Sequence, residues 1–307
     1  MIDPHVHLRD WNQREKETLA HGLSVAKACG ITAVFDMPNT NPPLTNRETI
    51  MRRLEEASAL ASGVSYHLWA GVTGDRGQVL EVGALAQDLF PAVVGLKFFA
   101  GHSTANMGLI TEEEQRRVYR HLSEAGYEGV VALHCEKESL LCPECNDPFD
   151  LSSHSRVRPP EAEIASVVDQ IRFSEEEGFC GHLHICHLST MGALEAVEGA
   201  RSAGRRISCA VTPHHLLLSE EDAKERSLWA KMNPPLRSQA ERRALFAATL
   251  AGRIDWIETD HAPHTLADKE GGASGIPGFS GLLLAVKALI DGGIDPVARL
   301  EIADGVL

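Results

Sequence analysis

Residues 2–9 read IDPHVHLR, and the two histidines of this stretch decide how the rest of the chain is interpreted. Side chains of a β-strand alternate between its two faces, so His5 and His7 project to the same side. Two imidazoles that converge in this way have the spacing of metal ligands. An isolated pair of this kind is, however, more often a strand face without a metal. The remainder of the chain has to decide between the two interpretations.

Short apolar segments alternate with longer amphipathic segments along the chain. After the first strand, which ends at the histidine pair, we predict strands at 31–35, 65–71, 93–99, 129–134, 182–187, 206–212 and 254–259. Helices are predicted at 16–29, from 45 onward, and at 77–89, 111–125, 161–178, 190–203, 238–251 and 279–291. Strands separated by helices form parallel β-α-β units, and eight such units close a (β/α)8 TIM barrel of the α/β class. We expect one domain over residues 1–307, with little or no accessory β-sandwich.

A long insertion at about 135–160 interrupts this alternation between the fifth strand and its helix. It contains the C-x-x-C pair Cys142 and Cys145, which could form a separate structural zinc site with Cys135 and His154. No second C-x-x-C pair is present and the spacing is irregular, which argues against that site. The odd total of seven cysteines in a large chain instead favours free thiols in a reducing compartment.

The charge of the chain limits its partners. The chain contains 29 Lys and Arg residues and 43 Asp and Glu residues, which gives a formal net charge of -14. This balance opposes nucleic-acid binding, because no positive field is available to release phosphate counterions. The longest apolar runs, such as 281–290, are too short to cross a bilayer, and no signal peptide precedes the histidine pair. We therefore expect a cytoplasmic protein that binds neither nucleic acid nor a membrane.

A barrel places its catalytic groups at the carboxyl ends of its strands. The polar residues predicted to fall there are His5, His7, Asn39, Lys97, His134, His187 and Asp260. Each of them alone has a structural explanation, such as a buried histidine with its hydrogen bonds satisfied. Together, four histidines and an aspartate at one end of a barrel form a ligand set suited to zinc or a similar divalent metal.

Lys97 is the unusual member of this set. Burying an ammonium group is costly, and its positive charge would repel a metal ion. Lys97 therefore either pairs with a carboxylate or has been converted by carbon dioxide into a carbamate. A carbamate is anionic and long enough to bridge two metal ions.

Six motifs in one order resemble the dihydroorotase family, within the metal-dependent amidohydrolase superfamily. They are residues 3–9 (DPHVHLR), 36–40 (DMPNT), 95–97 (GLK), 184–189 (HICHLS), 233–237 (NPPLR) and 260–264 (DHAPH). The resemblance extends from the first residues to about Gly278. It implies reversible cyclisation of N-carbamoyl-L-aspartate to L-dihydroorotate, a step of pyrimidine synthesis, at two zinc ions per chain.

The resemblance also implies roles for individual residues. The metal ligands would be His5, His7, Lys97 as the N6-carboxylated form, His134, His187 and Asp260. Asp260 would also be the catalytic base that becomes the general acid.

Substrate recognition is assigned to a second group of residues. Arg9 lies two positions beyond His7, so it points the same way and can present its guanidinium to a carboxylate. By resemblance, the residues that join it are Asn39, His264, Asn233, Pro277 and Gly278, the last three facing the pyrimidine ring. The segment 101–108 would close as a lid.

Alternatives to this interpretation remain open. The sequence Arg9-Asp10-Trp11 and the residues after Gly278 depart from the family pattern. A hydantoinase or allantoinase would share the metal site, although Arg9 and Asn39 argue for a substrate carboxylate. A non-catalytic barrel that serves as a scaffold for aspartate transcarbamoylase would not require a complete ligand set. A homodimer and association with aspartate transcarbamoylase are further open predictions.

Overall fold

Parallel strands form the centre of the molecule, as a computed structural model that describes residues 1–102, 107–147 and 153–294 shows. The strands are Ile2–Val6 (β1), Ala33–Asp36 (β2), Ser65–Gly71 (β3), Val93–Ala100 (β4), Gly108–Leu109 (β5), Val130–Cys135 (β6), His182–Ile185 (β7), Ile207–Val211 (β8) and Trp256–Ile257 (β9). They pair in the order β1-β2-β3-β4-β6-β7-β8-β9, and the two-residue β5 pairs with the end of β4. All nine strands of the described ranges therefore belong to one sheet.

The sheet closes on itself where its first and last strands meet. Val6 forms a parallel bridge with His261, and the His7 amide donates to the His261 carbonyl at 2.7 Å. Beneath that bridge, Asp3 accepts hydrogen bonds from the amide and the hydroxyl of Thr259. The result is a nearly closed barrel of eight parallel strands, which confirms the predicted TIM-barrel fold.

Helices cover the outside of the barrel. They are Leu19–Ala28 (α1), Arg47–Ala59 (α2), Arg76–Asp88 (α3), Glu112–Glu124 (α4), Ser153–Val157 (α5), Pro160–Glu176 (α6), Met191–Ser202 (α7), Pro213–Leu217 (α8), Glu220–Arg226 (α9), Gln239–Leu250 (α10), Leu266–Glu270 (α11) and Phe279–Asp291 (α12). None of the helices in the described ranges is long and apolar enough to span a membrane. The single-domain expectation stays a prediction.

Helix starts follow the capping chemistry of the sequence. Thr111 and Glu114 form a capping box at α4, because each side chain satisfies a backbone amide of the other residue. At α2, predicted from about residue 45 onward, the side chain of Asn46 caps the helix. Asn46 accepts a hydrogen bond from the amide of Thr49, as a preferred N-cap residue does.

Two apolar layers surround the sheet. The larger lies between strands and helices and includes Leu68, Leu96 and Val131. The smaller includes Trp69 and Cys186. Because strand side chains alternate between faces, the sequence pattern alone specifies this division into an outer and an inner layer.

The segment after β6 does not form the alternative zinc site. Cys142 and Cys145 are joined to each other by a disulfide bond, so the expectation of free thiols is wrong for this pair. The Nε2 atom of His154, the fourth ligand of that alternative, instead lies 3.1 Å from the Met232 carbonyl oxygen and 2.8 Å from Oδ1 of Asn233. This histidine therefore ties the inserted segment to the loop that carries Asn233.

Candidate metal centre and active site

Three ligand atoms converge where the barrel closes. The Nε2 atoms of His5 and His7 lie 3.4 Å and 2.9 Å from Oδ1 of Asp260, and all three side chains are buried. His5 and His7 come from the end of β1, and Asp260 follows β9. Closure of the barrel thus brings together residues that are more than 250 positions apart.

The β1 end is held in place by a buried ion pair below it. Asp36, at the end of β2, accepts a hydrogen bond from the backbone amide of Leu8, which lies between His7 and Arg9. Its other carboxylate oxygen accepts from Arg53 at 2.7 Å and from Tyr66 at 2.7 Å. Both Asp36 and Arg53 are fully buried, so this pair fixes the backbone from which the ligands project.

Glu258 orients a second group of side chains. Its Oε1 atom lies 3.0 Å from Nδ1 of His5 and accepts from the backbone amide of His187 at 2.7 Å. The sequence pattern did not indicate a role for Glu258, because it lies within the predicted strand 254–259 and not at its end. A carboxylate that orients a histidine from behind is common around metal sites.

His134 and His187 form the other half of the candidate centre. Nδ1 of His134 lies 3.1 Å from Nε2 of His187, and His134 also contacts Glu136 through Nε2 at 2.9 Å. Nδ1 of His187 is buried and has no hydrogen-bond partner. His187 and Asp260 both adopt left-handed backbone conformations, with φ of 35° and 49°. For residues other than glycine, such a conformation is typical of functional sites.

Lys97 is completely buried on β4. Its Nζ atom donates to Sγ of Cys186 at 3.2 Å and lies 5.0 Å from the centre of the Phe99 ring. No ion pair in the described part of the chain involves Lys97, so the carboxylate partner considered from the sequence is not among these residues. Cys186 directly follows the last residue of β7, Ile185, and is buried, as expected of a core residue.

The donor set fits divalent metal ions. Oδ1 of Asn39 is an acceptor 2.5 Å from Nδ1 of His7, so the proton of a neutral His7 belongs on Nδ1 and the Nε2 lone pair faces Asp260. Nδ1 of His5 likewise faces an acceptor, Oε1 of Glu258, so the Nε2 lone pair of a neutral His5 also faces Asp260. A carboxylate and two imidazole lone pairs that face one another are stabilised by a cation between them. Burial lowers the pKa of His5 to about 4, against the effect of Glu258, which keeps this imidazole neutral.

The electrostatics of Asp260 favour an ionised carboxyl. Burial alone would raise its pKa. The contact with His7 and the charges of the neighbouring imidazoles outweigh burial and hold the pKa of Asp260 below its usual range. Burial, followed by the proximity of His134 and Lys97, likewise lowers the pKa of His187 well below its usual value. The cluster thus combines an anionic oxygen with two imidazoles, His5 and His187, whose pKa values are lowered by burial.

Arg9 lies beside His264 in the lining of a cavity that both residues share with the candidate ligands. Nη2 of Arg9 lies 3.3 Å from Nε2 of His264, and Nε of Arg9 donates to the Pro263 carbonyl. Nε2 of His264 also lies 3.0 Å from the Ser274 carbonyl oxygen. Arg9 is 4% exposed and takes part in no ion pair with the described residues. This buried guanidinium lies within a cavity of about 360 Å³.

Most of the site residues expected from the sequence line this cavity. Its lining includes all six candidate ligands and the four expected substrate contacts Arg9, Asn39, Asn233 and His264. The further lining residues include His102, from the predicted lid segment, and Phe99 and Arg158, which were not predicted. Phe99 has the alternation of a strand residue two positions after Lys97, which could have revealed it. Nothing in the sequence pattern distinguishes Arg158 from a surface arginine.

The loop after His264 approaches the cavity with different residues from those expected. Ala273, Ser274 and Gly275 line it, whereas the Gly278 amide, next to Pro277, donates to Nδ1 of His261. Gly275 has φ of +134°, and a Cβ atom there would lie 2.9 Å from Nε2 of His264. Only glycine therefore permits this close approach. Residues 103–106 of the expected lid lie outside the described residues.

The structure is thus a parallel barrel with buried histidines and an aspartate at the carboxyl ends of its strands. No protein-family model matches it. Proteins named dihydroorotase are similar in sequence: that of Thermococcus kodakarensis is 38% identical over 284 residues, which are 91% of this chain and 59% of the relative. That of Brevibacillus brevis is 35% identical over 301 residues, which are 94% of this chain and 66% of the relative. By sequence, the chain is a homologue of the dihydroorotases.

Solved structures agree on the fold. An L-hydantoinase (dihydropyrimidinase) from Arthrobacter aurescens has a TM-score of 0.79 at 23% identity, over 91% of this chain and 63% of that protein. The dihydroorotase of Saccharomyces cerevisiae, in complex with 5-fluoroorotic acid, has a TM-score of 0.76 at 18% identity, over 100% of this chain and 81% of that one. At these identities the likeness concerns the fold alone. The chain spans 59–66% of the length of its curated relatives.

Proposed function

We propose that the chain catalyses the reversible cyclisation of N-carbamoyl-L-aspartate to L-dihydroorotate, the dihydroorotase reaction. The observation that carries this proposal is the buried Arg9 guanidinium, which lines the same cavity as the candidate metal ligands. Dihydroorotate carries a carboxylate beside its cyclic amide. A buried arginine without an ionic partner among the described residues is a receptor for such a carboxylate.

The same observation separates the proposal from its nearest alternative. The ring substrate of a hydantoinase need not carry a carboxylate, so a buried cation in its cavity would lack a partner. Leaving a charge buried and unpaired costs several kcal/mol, on the order of 3–5 in proteins. His264 and Asn39 line the same cavity and are proposed to add hydrogen bonds to the same group.

Two zinc ions are the proposed cofactors. One would be held by His5, His7 and Asp260, and the other by His134 and His187, with a carboxylated Lys97 between them. When bound, the ions would act as Lewis acids and lower the pKa of the attacking water. The support from this chain is the convergence of His5, His7 and Asp260 in one buried cluster, whose ligand atoms all lie within 4.8 Å of one another.

The acid–base steps are proposed for Asp260. In hydrolysis, its carboxylate accepts a proton from water as the oxygen bonds to the amide carbon. Asp260 then gives that proton to the ring nitrogen as the carbon–nitrogen bond breaks. In the biosynthetic direction, Asp260 takes a proton from the ureido nitrogen as this nitrogen bonds to the carbon of the protonated side-chain carboxyl group. Asp260 then returns that proton to the departing hydroxyl, which leaves as water. Its pKa below the usual range keeps the base ionised at neutral pH.

Carboxylation is proposed for Lys97 because the described residues offer its amine no carboxylate. The neutral amine bonds to the carbon of carbon dioxide and releases a proton, which leaves an anionic carbamate. Native mass spectrometry of the zinc-loaded protein should show the mass of one added carbon dioxide, absent from a Lys97→Met variant. A bare amine in protein with both metal ions bound would refute this part of the proposal.

Ring contacts are proposed for Asn233 and the 277–278 backbone, although the loop residues lining the cavity are Ala273, Ser274 and Gly275. A homodimer, association with aspartate transcarbamoylase and a cytoplasmic location complete the proposal. Sedimentation of the protein alone and with that transferase tests the first two, and cell fractionation tests the third.

A direct assay tests the proposed reaction. Zinc-loaded protein is incubated with dihydroorotate, with N-carbamoyl-aspartate and, separately, with hydantoin. We expect turnover in both directions with the first two compounds and little with hydantoin. Turnover of hydantoin alone would favour the hydantoinase alternative. No turnover of any of the compounds, in protein shown to hold two zinc ions, would contradict the proposal.

A further inference from the structure

We propose that Glu136 and Arg158 are positioning residues that fix His134 in the tautomer required of a metal ligand. The inference deepens the proposed function, on which it rests, because it assigns a role to an arginine of the cavity wall. Arg158 precedes α6 at the end of the inserted segment, and Glu136 directly follows β6. Neither residue belongs to the six motifs of the family resemblance.

Glu136 contacts both Arg158 and His134. Its Oε1 accepts from Nε of Arg158 at 2.9 Å, and its Oε2 accepts from Nη2 of Arg158 at 2.6 Å. Oε2 also lies 2.9 Å from Nε2 of His134. Glu136 is 1% exposed and Arg158 is 9% exposed, so water does not screen this pair. Two-point contact between guanidinium and carboxylate is the strongest and most directional pairing of these groups.

The tautomer of His134 follows from donor and acceptor chemistry. A carboxylate bound by arginine only accepts hydrogen bonds, so Nε2 of His134 has to be the donor. In a neutral imidazole the other nitrogen then carries the lone pair. That nitrogen, Nδ1, lies 3.1 Å from Nε2 of His187, inside the candidate centre. Arg158 thus acts on the metal site through two side chains, without being a ligand.

The cavity position of Arg158 sets it apart from a purely structural arginine. It lines the cavity together with Arg9 and Asn233. Its backbone carbonyl also accepts from Nη1 of Arg237, which anchors the segment from the opposite side. The guanidinium of Arg158 is therefore held on one edge by Glu136, whereas the backbone of Arg158 is held separately by Arg237. A substitution at Arg158 should therefore change the orientation of the Glu136 side chain more than the stability of the barrel.

A spectroscopic experiment on the unmodified chain tests the tautomer. Nitrogen-15 NMR of the histidine rings in metal-free protein should show a proton on Nε2 of His134, with the signal identified by its loss in a His134→Gln variant. A ring with its proton on Nδ1 and a bare Nε2 would overturn the inference. This measurement requires no variant of Glu136 or Arg158 to fold.

Zinc titration tests the consequence. Calorimetric titration of metal-free protein should show that Arg158→Met and Glu136→Gln weaken one of two zinc sites by about 10–100-fold and leave the other unchanged. Arg158→Lys, which keeps the charge without the fork, should lose less. The matched control is Arg253→Met, which breaks a similar two-point contact with Glu198 on the surface. It should leave both affinities unchanged.

Three results would overturn the inference: unchanged zinc affinity in Arg158→Met, equal weakening of both sites, or fewer than two zinc ions in the wild type. The titration uses no substrate, so it is independent of the assay for the reaction. Protein that binds two zinc ions but does not convert dihydroorotate refutes the proposed function alone. Normal turnover with unaltered zinc affinities in the variants refutes only the role of Arg158 and Glu136.

Discussion

Nη2 of Arg9 lies 3.3 Å from Nε2 of His264, a residue 255 positions away in the sequence. Residues that follow the first and the last strand are therefore neighbours at the site proposed for the substrate carboxylate. Arg9→Met should raise KM for dihydroorotate by about 10–100-fold, because a hydrogen bond to a charged group contributes roughly 1.5–3 kcal/mol. Steady-state kinetics with parallel zinc analysis measure this effect, and zinc content should not change.

Arg14→Met is the control for this variant, since Arg14 is exposed and lies only five positions away. It should leave KM unaltered. Wild-type KM in Arg9→Met would remove the assignment of Arg9 to the carboxylate. Any activity on hydantoin should be insensitive to Arg9→Met, because hydantoin has no carboxylate to lose.

Asp260→Asn should lower kcat by about 10²–10⁴-fold, the usual contribution of a positioned acid–base group. The pKa of Asp260 lies below its usual range, so loss of its proton does not limit hydrolysis near neutral pH. Activity that depends on this ionised base is present above that pKa and lost only as the pH falls through it. Because Asp260 is also a proposed ligand, zinc content is measured on the same samples. A fully zinc-loaded variant with wild-type kcat would exclude Asp260 as the base.

Arg53→Met should destabilise the protein by about 3–5 kcal/mol, since it leaves the buried Asp36 carboxylate without its ionic partner. Urea unfolding measures the change. Arg52→Met is a close control, because Arg52 is an exposed neighbour that pairs with Glu56 on the helix surface. It should change stability by less than about 1 kcal/mol. Equal effects of the two substitutions would contradict the role given to the buried pair.

His154 should make stability depend on pH. Burial lowers its pKa to about 4, so the folded protein binds fewer protons here than the unfolded chain between about pH 4 and 6.5. This contribution to stability is present above pH 6.5 and lost as the pH falls toward 4. Its full size is about 3 kcal/mol for a shift of this magnitude. Urea unfolding at several pH values should therefore show a shallower acid-side loss in His154→Gln than in the wild type. Parallel curves for the two proteins would contradict the prediction.

Zinc removal should lower the thermal stability of the wild type. A ligand present at about 1,000 times its Kd stabilises the folded state by about 4 kcal/mol. His5→Asn removes one ligand of the cluster at the barrel closure, so its melting temperature should respond much less to zinc or to a chelator. His67 on β3 is a control histidine, because it does not line the cavity and its Nδ1 lies 2.7 Å from the Pro91 carbonyl oxygen. His67→Asn should retain the wild-type response. Equal responses of His5→Asn and the wild type would show that zinc binds elsewhere.

Periodicity predicted the parts of this fold that depend on regular alternation. The ranges 65–71 and 279–291 match β3 and α12 as observed. The last strand was predicted at 254–259 but is only Trp256–Ile257, because Thr259 and Asp260 are held by side-chain contacts rather than by the strand ladder. Alternation cannot reveal such local competition for backbone hydrogen bonds.

The candidate site was predicted where residues of distinctive chemistry lie at strand ends. His5, His7 and Lys97 were recognised because strand periodicity gave them a common direction. Glu136 and Arg158 were not recognised, because their roles depend on pairing across 22 positions through the inserted segment. Such long-range pairs are fixed by tertiary packing, and a single sequence carries no periodic signal for them.

Because the barrel closes between β1 and the residues after β9, its ligand cluster combines the earliest and the latest parts of the chain to be synthesised. His5 and His7 leave the ribosome first, whereas Asp260 is made more than 250 residues later. A nascent chain that ends before this aspartate holds only part of the ligand cluster, whatever the zinc concentration around it. Completion of the His5, His7 and Asp260 cluster is consequently a late step of synthesis, because it requires translation to pass the last strand of the barrel.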